Sequence, residues 1–168
     1  MSASEQAFLA RIAEHERLIH KVARLYADEP ADREDLFQEI LCQAWRSFAG
    51  FRADARFSTW LYRVALNTAI THLRKKRRAG EIAVQVDWIK HDSPADPYAE
   101  EVELMYKAIN RLSKIDKAII LLFLEDCSYE EMAEIMGMSV SNIGVRLNRI
   151  RKRLKEDCEL QKQGRDGS

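Results

Sequence analysis

Asn142, Val145, Arg146, Arg149 and Arg153 fall on one stripe of any helix that holds them. Asn and Arg hydrogen-bond base edges in the major groove, and a Val methyl can meet a thymine methyl. Ser141 adjoins the stripe, and Lys152 and Lys155 suit phosphates. A second stripe holds Arg56, Trp60, Arg63, Asn67, Thr71, Arg74 and Arg78. An aromatic face among arginines can stack on unpaired bases, at about 1–3 kcal/mol per base. The run Arg74, Lys75, Lys76, Arg77 and Arg78 suits backbone phosphates, and Phe51 in the preceding loop can meet a base. A third set is acidic or amide-bearing: Asp32, Glu34, Asp35, Gln38 and Glu39. These groups can pair with a basic protein surface, while the early carboxylates equally suit the first turn of a helix. Plainer readings stay open for all three sets: a wet basic helix face, a Trp60 that belongs to the core, and a solvated helix end.

Other chemistry finds less support. His15 and His20 stand five residues apart, roughly 140° around a helix, whereas two zinc ligands on one helix need a spacing of four. No Gly-rich phosphate loop or nucleophile–base pair is apparent, so no enzyme, cofactor or metal is expected. Cys42, Cys127 and Cys158 are odd in number and widely spaced, which excludes a disulfide scaffold. The longest apolar run, Ala118 to Leu124, is far short of the ~20 residues of a membrane helix. The expected location is the cytoplasm, without membrane insertion.

The elements that must position these residues are nearly all helical. The chain has 168 residues, 46% hydrophobic and 32% charged, with apolar positions recurring at steps of three and four. Helices are predicted near 4–27, 32–48, 55–78, 99–111, 114–125, 128–136 and 139–156. Phe57, Leu61, Val64 and Thr68 give the third a packing face about 120° from its Trp60 stripe. Ser128 and Glu131 form a capping box, Gly137 suits a left-handed helix end, and Ser139 caps the next helix. Two helices joined by a turn of about three residues make a helix-turn-helix. In the second of them, Val140, Ile143, Leu147, Ile150 and Leu154 form the expected core face.

The 27 basic and 27 acidic side chains balance, but they are segregated. Residues 31–80 hold ten basic and five acidic side chains; residues 81–106 hold one and seven; residues 139–155 hold six and none. The acidic stretch carries Gly80, Pro94 and Pro97, which marks 80–98 as a flexible tether between two small helical domains. Val84, Val86, Trp88 and Ile89 within it could dock on a partner or pack locally.

The ordered residues resemble a known family. Asp32-Arg33-Glu34-Asp35-Leu36-Phe37-Gln38-Glu39, Ala44-Trp45, Phe51-Arg52-Ala53-Asp54 and Phe57-Ser58-Thr59-Trp60-Leu61-Tyr62-Arg63 look like region 2 of the extracytoplasmic-function sigma factors, compact bacterial members of the sigma-70 family. Ser128-Tyr129-Glu130-Glu131-Met132-Ala133 through Gly137 and Ser139 to Arg151 looks like region 4. The resemblance spans roughly residues 8–155 and implies an all-α chain. Its parts are region 2 over 1–79, an acidic linker over 80–98 and region 4 over 99–157; the tail over 158–168, polar from Gln161 on, is expected to be disordered.

The resemblance also implies a function: binding core RNA polymerase and directing it to a subset of promoters. Asp32, Asp35, Leu36, Gln38 and Glu39 would dock on the polymerase clamp coiled coil. Phe51, Arg56, Trp60, Arg63, Asn67 and the run Arg74 to Arg78 would open and read the minus-ten element. Region 4 would meet the polymerase flap. Within it Ser141, Asn142, Val145, Arg146, Arg149, Lys152 and Arg153 would read the minus-thirty-five element. By analogy alone, the tether runs near the RNA exit path, and an anti-sigma factor binds between the domains and covers both basic faces. Gly144 and Val145 depart from the family, which often has a basic residue and a small polar one there; Lys114 stands where a proline is frequent. The competing class is a helix-turn-helix repressor or activator that never meets polymerase. It explains residues 128–154 but leaves the Trp60 stripe and the acidic helix without a task.

Overall fold

The computed structural model describes residues 1–54, 56–79 and 98–167, the side chains of Arg77, Ala99, Tyr106 and Arg165 excepted. The chain divides into two compact units, Met1–Gln85 and Val86–Ser168. Among the described residues every regular element is a helix, and none is long and apolar enough to cross a membrane.

The first unit is a three-helix bundle: α1 (Ala3–Tyr26), α2 (Pro30–Phe48) and α3 (Phe57–Arg78), each packed on the other two. Ser2 starts α1 through a capping box. Its hydroxyl accepts from the Glu5 amide at 3.2 Å, and the Glu5 carboxylate accepts from the Ser2 amide at 2.6 Å. Pro30 occupies the first turn of α2, where a missing N–H costs nothing, so the helix begins two residues before the predicted start. Leu36, Ile40 and Ala44, at steps of four, turn one stripe of α2 inward toward α1 and α3, whose Ile19, Val22, Leu61, Ala65 and Ala69 are likewise buried in the core. Burying each of the leucine, isoleucine and valine side chains contributes about 1.5–3 kcal/mol.

The second unit contains α4 (Ala99–Asn110), α5 (Lys114–Leu124), α6 (Tyr129–Met136) and α7 (Val140–Asp166). The predicted capping box is present: Ser128 Oγ accepts from the Glu131 amide at 3.1 Å, and the Glu131 carboxylate accepts from the Ser128 amide at 2.8 Å. Gly137 adopts φ 65°, and the Met138 amide donates to the Ala133 carbonyl at 3.1 Å, closing α6 before Ser139 caps α7. Ile143, Leu147, Ile150 and Leu154 are buried, and α7 packs on α4, α5 and α6.

Three expectations are corrected. Val140 is 42% exposed rather than in the core, because it stands at the first position of α7, ahead of the stripe that meets the neighbouring helices. The tail predicted to be disordered over 158–168 is helical as far as Asp166; it holds no proline, and α7 runs through Gly164 before ending at Gly167. The Cys158 thiol there is pushed above its ordinary range, first by burial and then by the Asp157 carboxylate, with Lys162 opposing. Leu36, expected to dock on polymerase, is buried in the core instead. The acidic tether, with Val84, Val86, Trp88 and Ile89, lies outside the described residues, Tyr98 excepted.

Candidate nucleic-acid and polymerase interfaces

In the first unit the expected stripe of α3 faces outward. Arg63, Asn67, Thr71, Arg74, Lys75 and Arg78 are exposed, as is Arg56 just before the helix, while Phe57, Leu61 and Thr68 on the opposite face are buried. The Thr68 hydroxyl is satisfied internally, donating to the Val64 carbonyl at 2.7 Å. Trp60 lies between the two readings offered for it. Half-buried, it packs with Phe51 at 5.3 Å and Phe57 at 5.2 Å between ring centroids, with Phe48 at 6.3 Å. The guanidinium of Arg11 in α1 sits 5.6 Å from the centroids of both Phe51 and Phe57. Phe51 therefore belongs with Trp60 in one aromatic cluster, with the Arg11 cation against it. Nothing in local spacing revealed Arg11, which comes from a helix forty residues upstream of that loop.

Lys76 differs from its neighbours in the basic run: it pairs with Asp32 of α2 and is half-buried. Next to that pair, Nδ1 of His72 lies 3.1 Å from the Glu39 carboxylate. Two of the residues expected to face polymerase, Asp32 and Glu39, are thus tied to α3, while Asp35 and Gln38 are exposed. Leu36 is fully buried, at 0% exposure. It cannot offer an apolar contact to a partner; its place is beneath the acidic surface, anchoring α2 to the bundle. The spacing Leu36, Ile40, Ala44 carried that signal.

In the second unit α6 and α7 form the helix-turn-helix. Ser141, Asn142, Arg149, Lys152 and Arg153 are exposed, and Val145, on the same stripe, is 56% exposed. Arg146 is set apart from this stripe: its Nη1 donates to Oδ1 of Asp116 in α5 at 2.9 Å. Gly144 faces Tyr129, where an added Cβ would lie 3.7 Å from Cε2. His15 and His20 serve local packing. The His15 ring lies 5.0 Å from Phe57 with Nδ1 2.8 Å from the Arg11 carbonyl, and the His20 ring stacks on Phe37 at 4.5 Å.

The chain matches the family patterns described as sigma-70 region 2, over residues 11–79, and sigma-70, region 4, over residues 103–154. It is 33% identical to the ECF RNA polymerase sigma-E factor of Haemophilus influenzae, a match covering 76% of this chain and 75% of that protein. To the sigma-E factor of Escherichia coli K12 it is 31% identical, over 81% of this chain and 80% of that one. To the ECF RNA polymerase sigma factor SigG of Mycobacterium tuberculosis it is 32% identical over 74% of this chain; the chain spans only 41% of that longer protein. Two solved structures share the fold. The sigma factor RpoE in complex with the anti-sigma factor NepR, from Bartonella quintana, superposes with a TM-score of 0.79 at 23% identity, over 92% of this chain and 98% of that one. CnrH in complex with the cytosolic domain of CnrY gives 0.64 at 24%, over 90% and 87%. Both halves of the molecule match in order, and the sigma-E relatives align over most of their length. The chain belongs to the sigma-70 family, among its extracytoplasmic-function RNA polymerase sigma factors.

Proposed function

We propose that the protein is a transcription initiation factor that binds core RNA polymerase in the cytoplasm and directs it to a subset of promoters. The observation that carries this reading is the pairing, in one chain, of two different nucleic-acid surfaces. One is an aromatic cluster with Arg11 against it and the exposed Arg56 and Arg63 on the stripe of α3 that holds Trp60, suited to unpaired bases; the other is an exposed Asn142–Arg149–Arg153 stripe on a helix-turn-helix, suited to a duplex groove. Phe51, Trp60, Arg63 and Asn67 open and read the minus-ten element, with Arg74, Lys75, Arg77 and Arg78 on phosphates. Ser141, Asn142, Val145 and Arg149 read the minus-thirty-five element, with Lys152 and Arg153 beside it. Asp35 and Gln38, exposed above the buried Leu36, meet the clamp coiled coil, and region 4 meets the flap. An anti-sigma factor that covers both basic faces would silence the protein, in keeping with the complexes in which RpoE and CnrH were solved.

The test is run-off transcription. Core polymerase with the purified chain is expected to yield transcripts from promoters of the host genome, whereas core alone is not. Failure on every host template, or failure of the chain to co-purify with core polymerase, overturns the reading; the second result is what a repressor would give. Trp60→Ala is expected to form closed complexes normally and to open them poorly. Wild-type permanganate reactivity in that variant would remove Trp60 from strand opening.

A further inference from the structure

The stripe assigned to the upstream element is not uniform. Arg149 and Arg153 are exposed, but the Arg146 side chain is only 26% exposed. Its Nη1 is held 2.9 Å from Oδ1 of Asp116, and its Nε is buried without a hydrogen-bond partner among the described residues. The guanidinium is thus turned into the domain. Asp116 is put there by local structure: Ser113 caps α5, its hydroxyl accepting from the Asp116 amide at 3.2 Å, so the carboxylate stands in the first turn, where the helix dipole favours it. The Asp116 side chain is itself only 22% exposed. Drawing Arg146 away to a phosphate or a base would strand a partly desolvated carboxylate at the seam of two helices, which is costly. Further along α7, the Arg151 guanidinium lies 5.6 Å from the Phe123 ring, a second link between α7 and α5.

We infer that Asp116 and Arg146 are positioning residues. Their ion pair fixes the rotation of α7 on α5, so that Asn142, Val145 and Arg149 meet the duplex while Arg146 itself does not touch DNA. This rests on the proposed reading of the upstream promoter element.

The experiment uses the full chain assembled with core RNA polymerase. Binding is measured over a salt series to a host promoter fragment and to the same fragment with its upstream element scrambled. Asp116→Asn keeps the shape of the side chain and removes its charge. A carboxylate that merely competes with DNA for Arg146 would, once neutralised, let the variant bind more tightly. A positioning carboxylate gives the opposite sign: specific binding falls by about tenfold, while binding to the scrambled fragment stays at the wild-type level. Arg146→Gln gives the same loss, and the double variant loses no more than either single one. The salt slope of Arg146→Gln matches wild type, because no phosphate contact has gone. Unchanged or tighter specific binding by Asp116→Asn, additive losses, equal loss on the scrambled fragment, or a slope reduced by about one unit in Arg146→Gln would each overturn the assignment. A wild type that fails to discriminate the two fragments overturns the promoter reading, and this inference with it.

Discussion

Arg149 and Leu36 mark the two ends of what a single side chain does here. Arg149 is exposed on the outward stripe of α7, with no ion pair such as Asp116 gives Arg146 among the described residues. Its full donor set is therefore free for a base edge, and Arg149→Ala is expected to cost about 1–3 kcal/mol of binding to the upstream element. Fluorescence anisotropy on a labelled promoter fragment measures this; unchanged affinity would take Arg149 out of the reading set. Leu36 contributes from the inside. Removing its buried side chain leaves a hole between the helices, so Leu36→Ala is expected to destabilise the protein by about 2–5 kcal/mol in urea unfolding. Asp35→Ala and Gln38→Ala, exposed on the same helix, are expected to leave stability within about 0.5 kcal/mol and to weaken capture of core polymerase. If instead Leu36→Ala unfolds like wild type, the side chain is not the anchor its burial indicates.

At the scale of elements, the helix-turn-helix shows how one glycine can be spare and another required. Gly144 lies inside α7, and a Cβ there would sit in ordinary contact with the Tyr129 ring, 3.7 Å away. Gly144→Ala is therefore expected to raise the stability of the second unit by up to about 1 kcal/mol, some 4–8 °C in its thermal melt. Gly137 holds the left-handed end of α6 at φ 65°, so Gly137→Ala is expected to cost about 1–2 kcal/mol. Circular dichroism melts check both, and a lower melting point for Gly144→Ala would mean that Tyr129 cannot yield. These local devices were legible from sequence because a cap is complete within four residues: Ser128 with Glu131, Gly137, and Ser139 all stand as their types predicted. The two faces of α3 were legible because burial repeats with the turn. What stayed hidden is non-local. Asp116 meets Arg146 across thirty residues, and Asp32 and Glu39 meet Lys76 and His72 across two helices, pairings that no spacing rule encodes. The length of α7 escaped for a different reason: the mostly polar residues from Glu156 to Gln163 are compatible with helix and with disorder alike, and no periodic apolar face marks them as helix.

For the molecule as a whole, the balance of 27 basic and 27 acidic side chains matters less than where they stand. A chain without net charge gains little from long-range attraction to DNA, so affinity must come from local clusters placed against phosphates. In the first unit the cluster at the end of α3 is smaller than its sequence suggests, because Lys76 is committed to Asp32; Arg74, Lys75 and Arg78 are its exposed members with described side chains. If those three each neutralise one phosphate, replacing all of them with Gln lowers the salt slope of promoter binding by an amount that depends on the strand they touch. The loss is about 2.7 units for duplex DNA and about 2.1 for a melted strand, since a single strand releases fewer counterions per contact. Measuring the slope for closed complexes in the cold and for open complexes at growth temperature separates the two. The expectation is a loss near the lower figure that is confined to open complexes, because the run continues the α3 stripe of Trp60, Arg63 and Asn67, the residues proposed to read unpaired bases. A slope unchanged in both states would leave the three cations as a solvated helix end, and a loss already complete in the closed complex would place the run on duplex DNA upstream of the melted region.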